Sequence, residues 1–249
     1  MHENWLKKNH MKIIYFFRAI LADTLIYFLM LVLGLIFSPF AAFSRSMACE
    51  SVRIYCSCCF VVLKYIAKIK VEFKGEIPNK DVIVCAKHMS FLDILMLAYI
   101  LPRPRFVMKK ELKWAPILGF YALRLGCSPV ARGKKGGSIA SLKRNINRKK
   151  ELGSGQTIIY PQGTRVLPGA KAPYKIGVGI IYRDQNLPCV LAATNTGNFW
   201  GRRSFFRYPG TAVLEFFEEL KPGLPLDEFM MQVETKIERV SNGLMGLEK

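Results

Sequence analysis

Residues 82–101 read VIVCAKHMSFLDILMLAYIL, and this stretch decides the fold class. The first five residues, Val82–Ala86, are small or branched apolar residues, which is typical of a buried β-strand. Phe91–Leu101 is apolar almost throughout, which is typical of a buried helix. A buried strand that leads directly into a buried helix is the repeating unit of an α/β sheet.

The same alternation of strand-like and helix-like segments continues on both sides of this stretch. Further strands are predicted at Ile69–Lys74, Arg105–Lys109, Thr157–Tyr160, Cys189–Ala193 and Thr211–Phe217, which are short and rich in β-branched or aromatic residues. Amphipathic patterns predict one helix from Ser138 to Gly153 and another over Leu226–Leu244. The sequence therefore predicts an α/β protein whose sheet is flanked by helices.

The N-terminal part of the chain has a different character. Thr24–Ser44 is an uncharged run that, as a helix, would be roughly 30 Å long, about the thickness of a bilayer core. A second apolar segment, Val52–Lys68, is amphipathic. We predict N-terminal membrane-associated helices over residues 1–68 and an α/β catalytic domain over residues 69–249. Spanning and monotopic attachment stay open, and the alternative is a buried helical hairpin of a soluble protein.

The charge of the chain indicates an anionic partner. The 249 residues include 37 Lys and Arg against 18 Asp and Glu, a net charge of +19, and 51% are hydrophobic. This hydrophobic content excludes a disordered chain, and the many charged residues argue against a transporter with many spans. Residues 101–175 hold 17 of the basic residues and only two acidic ones, Glu111 and Glu151. Such a concentration is typical of a binding site or a membrane-facing surface.

The cysteines predict a reduced protein. There are seven, an odd number without the spacing of a disulfide framework, and most lie among apolar neighbours. The cluster Cys56, Cys58 and Cys59 lacks a second cysteine pair or nearby histidines at ligand spacing. We therefore expect buried thiols and no metal site.

His88 and Asp93 are the first candidate pair for chemistry. Residues five apart in a regular helix point about 140° away from each other. The two side chains can therefore meet only if His88 lies in the strand-to-helix turn and Asp93 in the first helical turn. A carboxylate on one imidazole nitrogen selects the tautomer and raises the basicity of the other nitrogen. The alternative is a capping histidine, with Asp93 stabilised by the helix dipole.

Basic residues at two further strand ends predict an anion site. In the sequence Tyr160-Pro-Gln-Gly-Thr-Arg165, a tight turn would present the free amides of Gly163 and Thr164 beside the Arg165 guanidinium. Arg132 follows another strand-like end, downstream of Lys109. Two arginines at strand ends favour one shared phosphate, although a basic membrane-facing surface is an alternative.

These segments together resemble a known family. The blocks are His88-(x)4-Asp93, Lys109-x-Glu111-Leu112, Gly126…Arg132, Tyr160-Pro-Gln-Gly-Thr-Arg165 and Leu187-Pro-Cys-Val-Leu-Ala192. In this order and spacing they resemble the glycerolipid acyltransferase family, and within it the bacterial 1-acyl-sn-glycerol-3-phosphate acyltransferases. The resemblance covers about residues 20–245.

The resemblance implies a mixed sheet flanked by helices, preceded by membrane-anchoring helices, and a defined reaction. His88 would be the general base and Asp93 its orienting partner in direct acyl transfer from acyl-CoA or acyl-carrier protein to the sn-2 hydroxyl of lysophosphatidate, which gives phosphatidate. No acyl-enzyme, metal or further cofactor is implied. The residues implied to bind the substrate phosphate are Arg132, Gly163, Thr164, Arg165 and, in an assisting role, Lys109. The implied location is the cell inner membrane, with the active site on the cytoplasmic face.

Two positions depart from the family pattern. The block that usually reads Pro-Glu-Gly-Thr-Arg has Gln162 in place of Glu, and a neutral amide cannot act as a base or balance an arginine. Lys87 stands where many members have Asn. We still expect activity, because His88 and Asp93 are intact. The roles of Gln162 and Glu111 stay open.

Other functions remain as alternatives. Within the same class, the acceptor could be another lysolipid or glycerol-3-phosphate. In another class, the chain could be an inactive membrane lipid-binding protein, with Gln162 as its mark. Nucleic acid is not an expected partner, because no aromatic-plus-basic recognition motif accompanies the positive charge.

Overall fold

The computed structural model describes residues 2–131 and 153–247, with side chains from residue 11 onward. These residues contain a seven-stranded mixed sheet with helices on both faces. The strands are β1 (Ile69–Lys74), β2 (Val82–Ala86), β3 (Pro104–Lys109), β4 (Ser128–Val130), β5 (Gln156–Ile159), β6 (Cys189–Thr194) and β7 (Gly210–Leu220). The helices are α1 (His2–Phe43), α2 (Arg45–Val62), α3 (Leu92–Ile100), α4 (Pro116–Leu125), α5 (Gly177–Gln185) and α6 (Leu226–Met245). The predicted fold class is confirmed.

The strand order places β2 near the middle of the sheet. The order is β1-β7-β6-β2-β5-β3-β4, and every neighbouring pair is parallel except β6 with β7. The chain leaves β2 toward β3 on one side, and it later crosses from β5 over β2 to β6 on the other. The carboxyl ends of strands at such a crossing form the crevice where open α/β sheets bind ligands.

The side chains of β2 alternate between two hydrophobic cores. Val84 and Ala86 face a core that includes residues of α2 and α3, whereas Ile83 and Cys85 face a core that includes residues of α5 and α6. All five residues of β2 are buried, as the apolar run predicts. Because the alternation continues past the end of β2, consecutive residues there reach opposite faces of the sheet.

The strand predictions were accurate where a strand contains a run of apolar residues long enough to be recognised in the sequence. The observed β1 and β2 match the predicted bounds, and the other four predicted strands differ from the structure by one to three residues at an end. Sequence analysis noted only a strand-like end before Arg132 and gave no bounds for β4, which has three residues, one of them Pro129. The predicted C-terminal helix corresponds to α6. The helix predicted from Ser138 to Gly153 lies almost entirely outside the described residues, and so does Arg132.

The two N-terminal helices leave much apolar surface exposed. Met11–Phe43 and Arg45–Ala67 are each long and apolar enough to cross a membrane. Only 17% of the most apolar window in the first segment is buried, which is less than a helix in a soluble core would bury. Yet Ile26 of α1 and Cys59 of α2 belong to the core beneath the sheet. These helices are therefore continuous with the α/β core on one side, while membrane attachment and the boundary at residue 68 stay predictions.

An ion pair ties α1 to the loop before β7. Arg207 Nη2 donates to Asp23 Oδ2 at 2.6 Å, and its guanidinium lies 4.3 Å from the centre of the Trp200 ring. Burial lowers the pKa of Arg207, and the charge of Asp23 opposes that effect. The arginine therefore depends on this one carboxylate and the aromatic face to keep a buried positive charge.

Replacing Asp23 with Asn should destabilise the fold, because it leaves the buried Arg207 without its counter-charge. We expect a loss of about 2–3 kcal/mol in the free energy of unfolding, somewhat less than for a fully buried pair because Asp23 is one-third exposed. Urea unfolding in detergent micelles measures this change. Glu219→Gln, which removes the exposed pair with Lys80, serves as a matched control and should cost less than about 1 kcal/mol. Equal losses in the two variants would contradict the prediction.

Candidate active site

His88 lies just beyond the carboxyl end of β2, facing α3. Its ring is almost buried, and Nδ1 lies 3.0 Å from Asp93 Oδ1. Asp93 is in the first turn of α3, so the strand-to-helix geometry required by the five-residue spacing is present. An ionised carboxylate only accepts hydrogen bonds, so Nδ1 carries the proton and Nε2 has a free lone pair. A neutral imidazole in this tautomer can accept a proton at Nε2.

Asp93 is held from three further directions. Its Oδ2 accepts hydrogen bonds from the backbone N–H groups of Met89 and Ser90, both at 2.8 Å, and the side chain is fully buried. The Tyr160 hydroxyl donates to Oδ1 at 3.2 Å. All three donors, like the N-terminus of α3, interact favourably with a negatively charged carboxylate. Asp93 thus orients the imidazole and also closes the turn before α3.

Tyr160 is a site residue that sequence analysis predicted only as the last residue of a strand and the start of a turn, with no role of its own. It follows β5, the parallel neighbour of β2, and its ring stacks on the His88 imidazole with the centroids 3.9 Å apart. Burial raises the pKa of Tyr160 well above its usual value, and the nearby Asp93 charge raises it further. The phenol therefore stays protonated and donates to Asp93. Its place at the end of a neighbouring strand was the only signal in the sequence.

The turn after Tyr160 corrects one prediction. The Gly163 N–H donates to the Tyr160 carbonyl at 2.9 Å, so this amide closes the turn and is not free for an anion. Gly163 has a φ of +68°, which favours glycine. The exposed ammonium group of Lys175 lies beside the turn. Its Nζ would be only 2.9 Å from a Cβ at position 163. Within the described part of the chain, the Thr164 N–H has no hydrogen-bond partner.

Arg165 is half-buried and held through its backbone. Its carbonyl accepts a hydrogen bond from Arg202 Nη1 at 3.1 Å, and the next residue, Val166, donates its N–H to the His88 carbonyl at 2.8 Å. The segment that carries Arg165 is therefore joined directly to the His88 backbone. The backbone at Arg165 and Thr164 thus lies one and two residues before a direct contact with the His88 backbone.

Lys109 and Glu111 lie farther along the sheet. Lys109 is the last residue of β3, which is separated from β2 by β5, and its Nζ is 3.7 Å from Glu111 Oε2. Both side chains are exposed. Lys109 and Glu111 therefore pair with each other at the surface. The strand that ends at Lys109, β3, is two strands away from β2 in the sheet.

The buried Gln162 connects His88 to the C-terminal helix. Its Oε1 is 3.5 Å from the backbone nitrogen of His88, and its Nε2 donates to Glu238 Oε1 of α6 at 3.1 Å. Glu238 also accepts from Lys87. Sequence analysis singled out Gln162 and Lys87 only as departures from a pattern, and it missed Glu238, which no local motif marks.

The sequence and the fold have clear counterparts among known proteins. The sequence model of the Acyltransferase family matches residues 68–194, just over half of the chain. The chain belongs to the acyltransferase family. The resemblance that the sequence blocks carry is thereby confirmed, and the matched segment contains the His88–Asp93 pair and the 160–165 turn.

Relatives of this acyltransferase-family chain occur in bacteria and plants. It is 25% identical over 162 residues to the 1-acyl-sn-glycerol-3-phosphate acyltransferase of Pseudomonas aeruginosa, covering 64% of this chain and 63% of that protein. It is 27% identical over 165 residues to the enzyme of the same name from Cocos nucifera, covering 64% of this chain and 53% of that protein. The chain therefore matches somewhat less than two thirds of the length of these relatives.

A crystal structure shares the fold. The 1-acyl-sn-glycerophosphate acyltransferase PlsC from Thermotoga maritima aligns with a TM-score of 0.74, covering 92% of this chain and 97% of that one. The sequence identity is 20%, so this likeness concerns the fold. The coverage extends beyond the sheet, and the prediction of a mixed sheet with flanking helices is confirmed by it.

The described residues form no cluster suited to a metal ion. Among residues 2–131 and 153–247, no three His, Cys, Asp or Glu side chains lie close enough together to hold a metal ion. All but one of the seven cysteines are buried, and Cys58 is half-buried. The expectation of chemistry without a metal stays a prediction.

Proposed function

We propose that this chain transfers a fatty acyl group from acyl-CoA or acyl-carrier protein to the sn-2 hydroxyl of lysophosphatidate, forming phosphatidate. The observation that carries the proposal is the His88–Asp93 pair, with Nδ1 and Oδ1 3.0 Å apart and Nε2 left as an acceptor. The names of the relatives from Pseudomonas aeruginosa and Cocos nucifera support the choice of acceptor. The apolar helices α1 and α2 would hold the site at the cytoplasmic face of the inner membrane, where acceptor and product reside.

His88 acts as the general base in this proposal. Nε2 removes the proton from the acceptor hydroxyl as the oxygen attacks the thioester carbonyl carbon, and a tetrahedral intermediate forms. The intermediate collapses with cleavage of the carbon–sulfur bond, and the imidazolium returns the proton to the departing thiolate. Asp93 remains ionised throughout and stabilises the imidazolium. No bond to the protein forms, so neither Ser90 nor a cysteine is needed as a nucleophile.

The acceptor phosphate is assigned to the 160–165 turn. Arg165 would donate to the phosphate through its guanidinium, and the unpartnered Thr164 N–H points to the same role. Gly163 contributes by allowing the turn, and Arg132 stays assigned to the phosphate by family resemblance. Lys109 remains an assisting residue in the proposal. Lys175, beside Gly163, adds positive charge at the same turn.

Replacing Arg165 with Ala should weaken the binding of lysophosphatidate. A hydrogen bond between charged groups contributes about 1.5–3 kcal/mol, so KM should rise about 10- to 100-fold while kcat changes less. Steady-state kinetics with varied lysophosphatidate measures this shift. Arg183→Ala is the matched control, because the exposed Arg183 lies in the last turn of α5, which leads into the amino end of β6, away from the carboxyl ends of β2 and β5. An unchanged KM in Arg165→Ala would remove this residue from the phosphate site.

The reaction itself is tested by thiol release. Purified protein in detergent micelles is given oleoyl-CoA or oleoyl-acyl-carrier protein, together with lysophosphatidate, another lysolipid or glycerol-3-phosphate. Thiol release that requires lysophosphatidate and yields phosphatidate supports the proposal. Release only with a lysolipid that lacks a phosphate monoester would refute the phosphate assignment, whereas release only with glycerol-3-phosphate would refute the choice of acceptor alone. No release with any acceptor and either donor would favour an inactive lipid-binding protein.

A further inference from the structure

A buried lysine lies directly before the candidate base. Lys87 is 2% exposed, and it faces α6 while His88 faces α3, as the alternation of β2 requires. A lone buried ammonium group is strongly unfavourable, so it needs a counter-charge. Glu238 supplies it, with Lys87 Nζ donating to both carboxylate oxygens at 2.5 and 2.7 Å.

Glu238 is the centre of a larger network. Its Oε1 also accepts from Gln162 Nε2 at 3.1 Å and from the Tyr174 hydroxyl at 3.0 Å. Ile237, the residue before Glu238, is one of the buried residues of α6. The helix backbone that carries the Glu238 side chain is therefore firmly packed. Four hydrogen bonds from three different segments therefore converge on one side chain.

Gln162 makes the connection to the base possible. An amide can donate from its nitrogen and accept at its oxygen, and here it donates to Glu238 and lies with its oxygen toward the His88 N–H. An ionised glutamate at position 162 could not donate, and it would place a second negative charge beside Glu238. The two positions at which the chain departs from the family pattern, 87 and 162, thus meet at a single carboxylate from α6.

We propose that Glu238 is a positioning residue for His88, which it holds in place through Lys87 on one side and Gln162 on the other. The network contains one ammonium group, one amide, one phenol hydroxyl and one carboxylate. The network needs one carboxylate, at position 238 or at position 162. With none, Lys87 has no counter-charge, and with two, a second negative charge lies beside the first. This inference rests on the proposed role of His88 as the base.

Exchange of the two groups tests this proposal. Glu238→Gln leaves Lys87 unpaired, and Gln162→Glu places two carboxylates together, so each should lower kcat about 10- to 100-fold while KM changes little, because misplacing a reacting group acts on the chemical step. The double variant Gln162→Glu/Glu238→Gln restores one carboxylate and one amide. It should recover kcat to within about threefold of the wild type, since positioned contacts are made again with the order reversed. Glu234→Gln, one turn earlier on α6 and exposed, is the matched control.

A second readout is independent of acyl transfer. Diethylpyrocarbonate modifies unprotonated imidazoles, and mass spectrometry resolves His88 from the other two histidines, His2 and His10. Loosening the support of a nearly buried ring should speed its modification, so the rate at His88 should rise at least about threefold in Glu238→Gln and return in the double variant. This measurement applies even if the wild type releases no thiol, which would refute the proposed function alone.

The positioning role is supported if kcat falls in the single variants, or the His88 modification rate rises in Glu238→Gln, and the double variant recovers the wild-type value. Glu238→Gln that matches both the wild type and Glu234→Gln in these two measurements overturns it. A double variant that remains as impaired as the worse single variant, or that unfolds with it, also overturns it, because exchange would then not be tolerated.

Discussion

Replacing His88 with Ala is expected to lower kcat for acyl transfer by about 10³-fold, within the range of about 10²–10⁴ that general bases contribute. The variant keeps the turn 160–165 and Arg165, so KM for lysophosphatidate should remain within about twofold. Among the residues that the structure describes, nothing else within hydrogen-bonding distance of Asp93 can accept a proton from the substrate, since Tyr160 stays protonated and the other partners are backbone N–H groups. Thiol release and phosphatidate formation measure the effect.

Ser90→Ala is the informative companion to this variant. Ser90 is fully buried beside His88, and its Oγ accepts a hydrogen bond from the Leu92 N–H at 3.0 Å. Losing such a cap costs stability of about 1 kcal/mol but removes no proton acceptor, so the activity should fall by less than tenfold. A Ser90→Ala variant as inactive as His88→Ala would point to an acyl-enzyme and contradict direct transfer. Full activity in His88→Ala would refute the general base.

Asp93→Asn is the second change with a very large expected effect. The amide oxygen can still accept from Met89 and Ser90, while the amide nitrogen faces His88 and donates to Nδ1. The imidazole then carries its proton on Nε2 and cannot accept one from the acceptor hydroxyl. Because the fold is kept and the tautomer is wrong, we expect a loss of about 10³- to 10⁴-fold in kcat, the size seen for the same change in serine protease triads.

Two measurements distinguish this effect from a loss of structure. In Asp93→Asn, the nitrogen NMR chemical shifts of His88 should show the proton on Nε2, whereas in the wild type they should show it on Nδ1. The urea unfolding midpoint should change little. Tyr160→Phe is the matched control, since it removes one hydrogen bond to Asp93 and keeps the stacked ring, so the loss should be about tenfold or less. Retention of more than a tenth of the activity in Asp93→Asn would show that the carboxylate does not select the tautomer.

Local pattern was sufficient for the elements that position the base. Val82–Ala86 is an uninterrupted apolar run, and the structure confirms it as a strand buried on both faces. The spacing of His88 and Asp93 required a strand-to-helix turn, and that turn is present. The strand β4 is too short to show a comparable pattern. The antiparallel pairing of β7 with β6 shows none either, because the direction of pairing depends on the order in which the strands pack.

Details of the anion site depended on hydrogen bonding that the motif does not report. The sequence analysis treated the Gly163 and Thr164 amides as equivalent, yet closure of the turn uses the Gly163 amide. The stacking of Tyr160 on His88 was not predicted, because the two residues are 72 positions apart along the chain. Sequence separation hid the contact, whereas the neighbouring positions of β2 and β5 produce it.

The sequence alone determined the α/β class, the His88–Asp93 pair, the basic turn and membership of the acyltransferase family. The fold class and the pairing of His88 with Asp93 depend on periodicity and spacing within short segments. Family membership depends on the resemblance of the motif blocks and on the match of residues 68–194 to the family model. Only the tertiary structure decided that Gln162 and Lys87 share Glu238, which is 76 and 151 positions away. The physical reason is that a buried charge is paired by whichever segment the packing brings to it, and here the packing of α6 against the sheet brings that carboxylate.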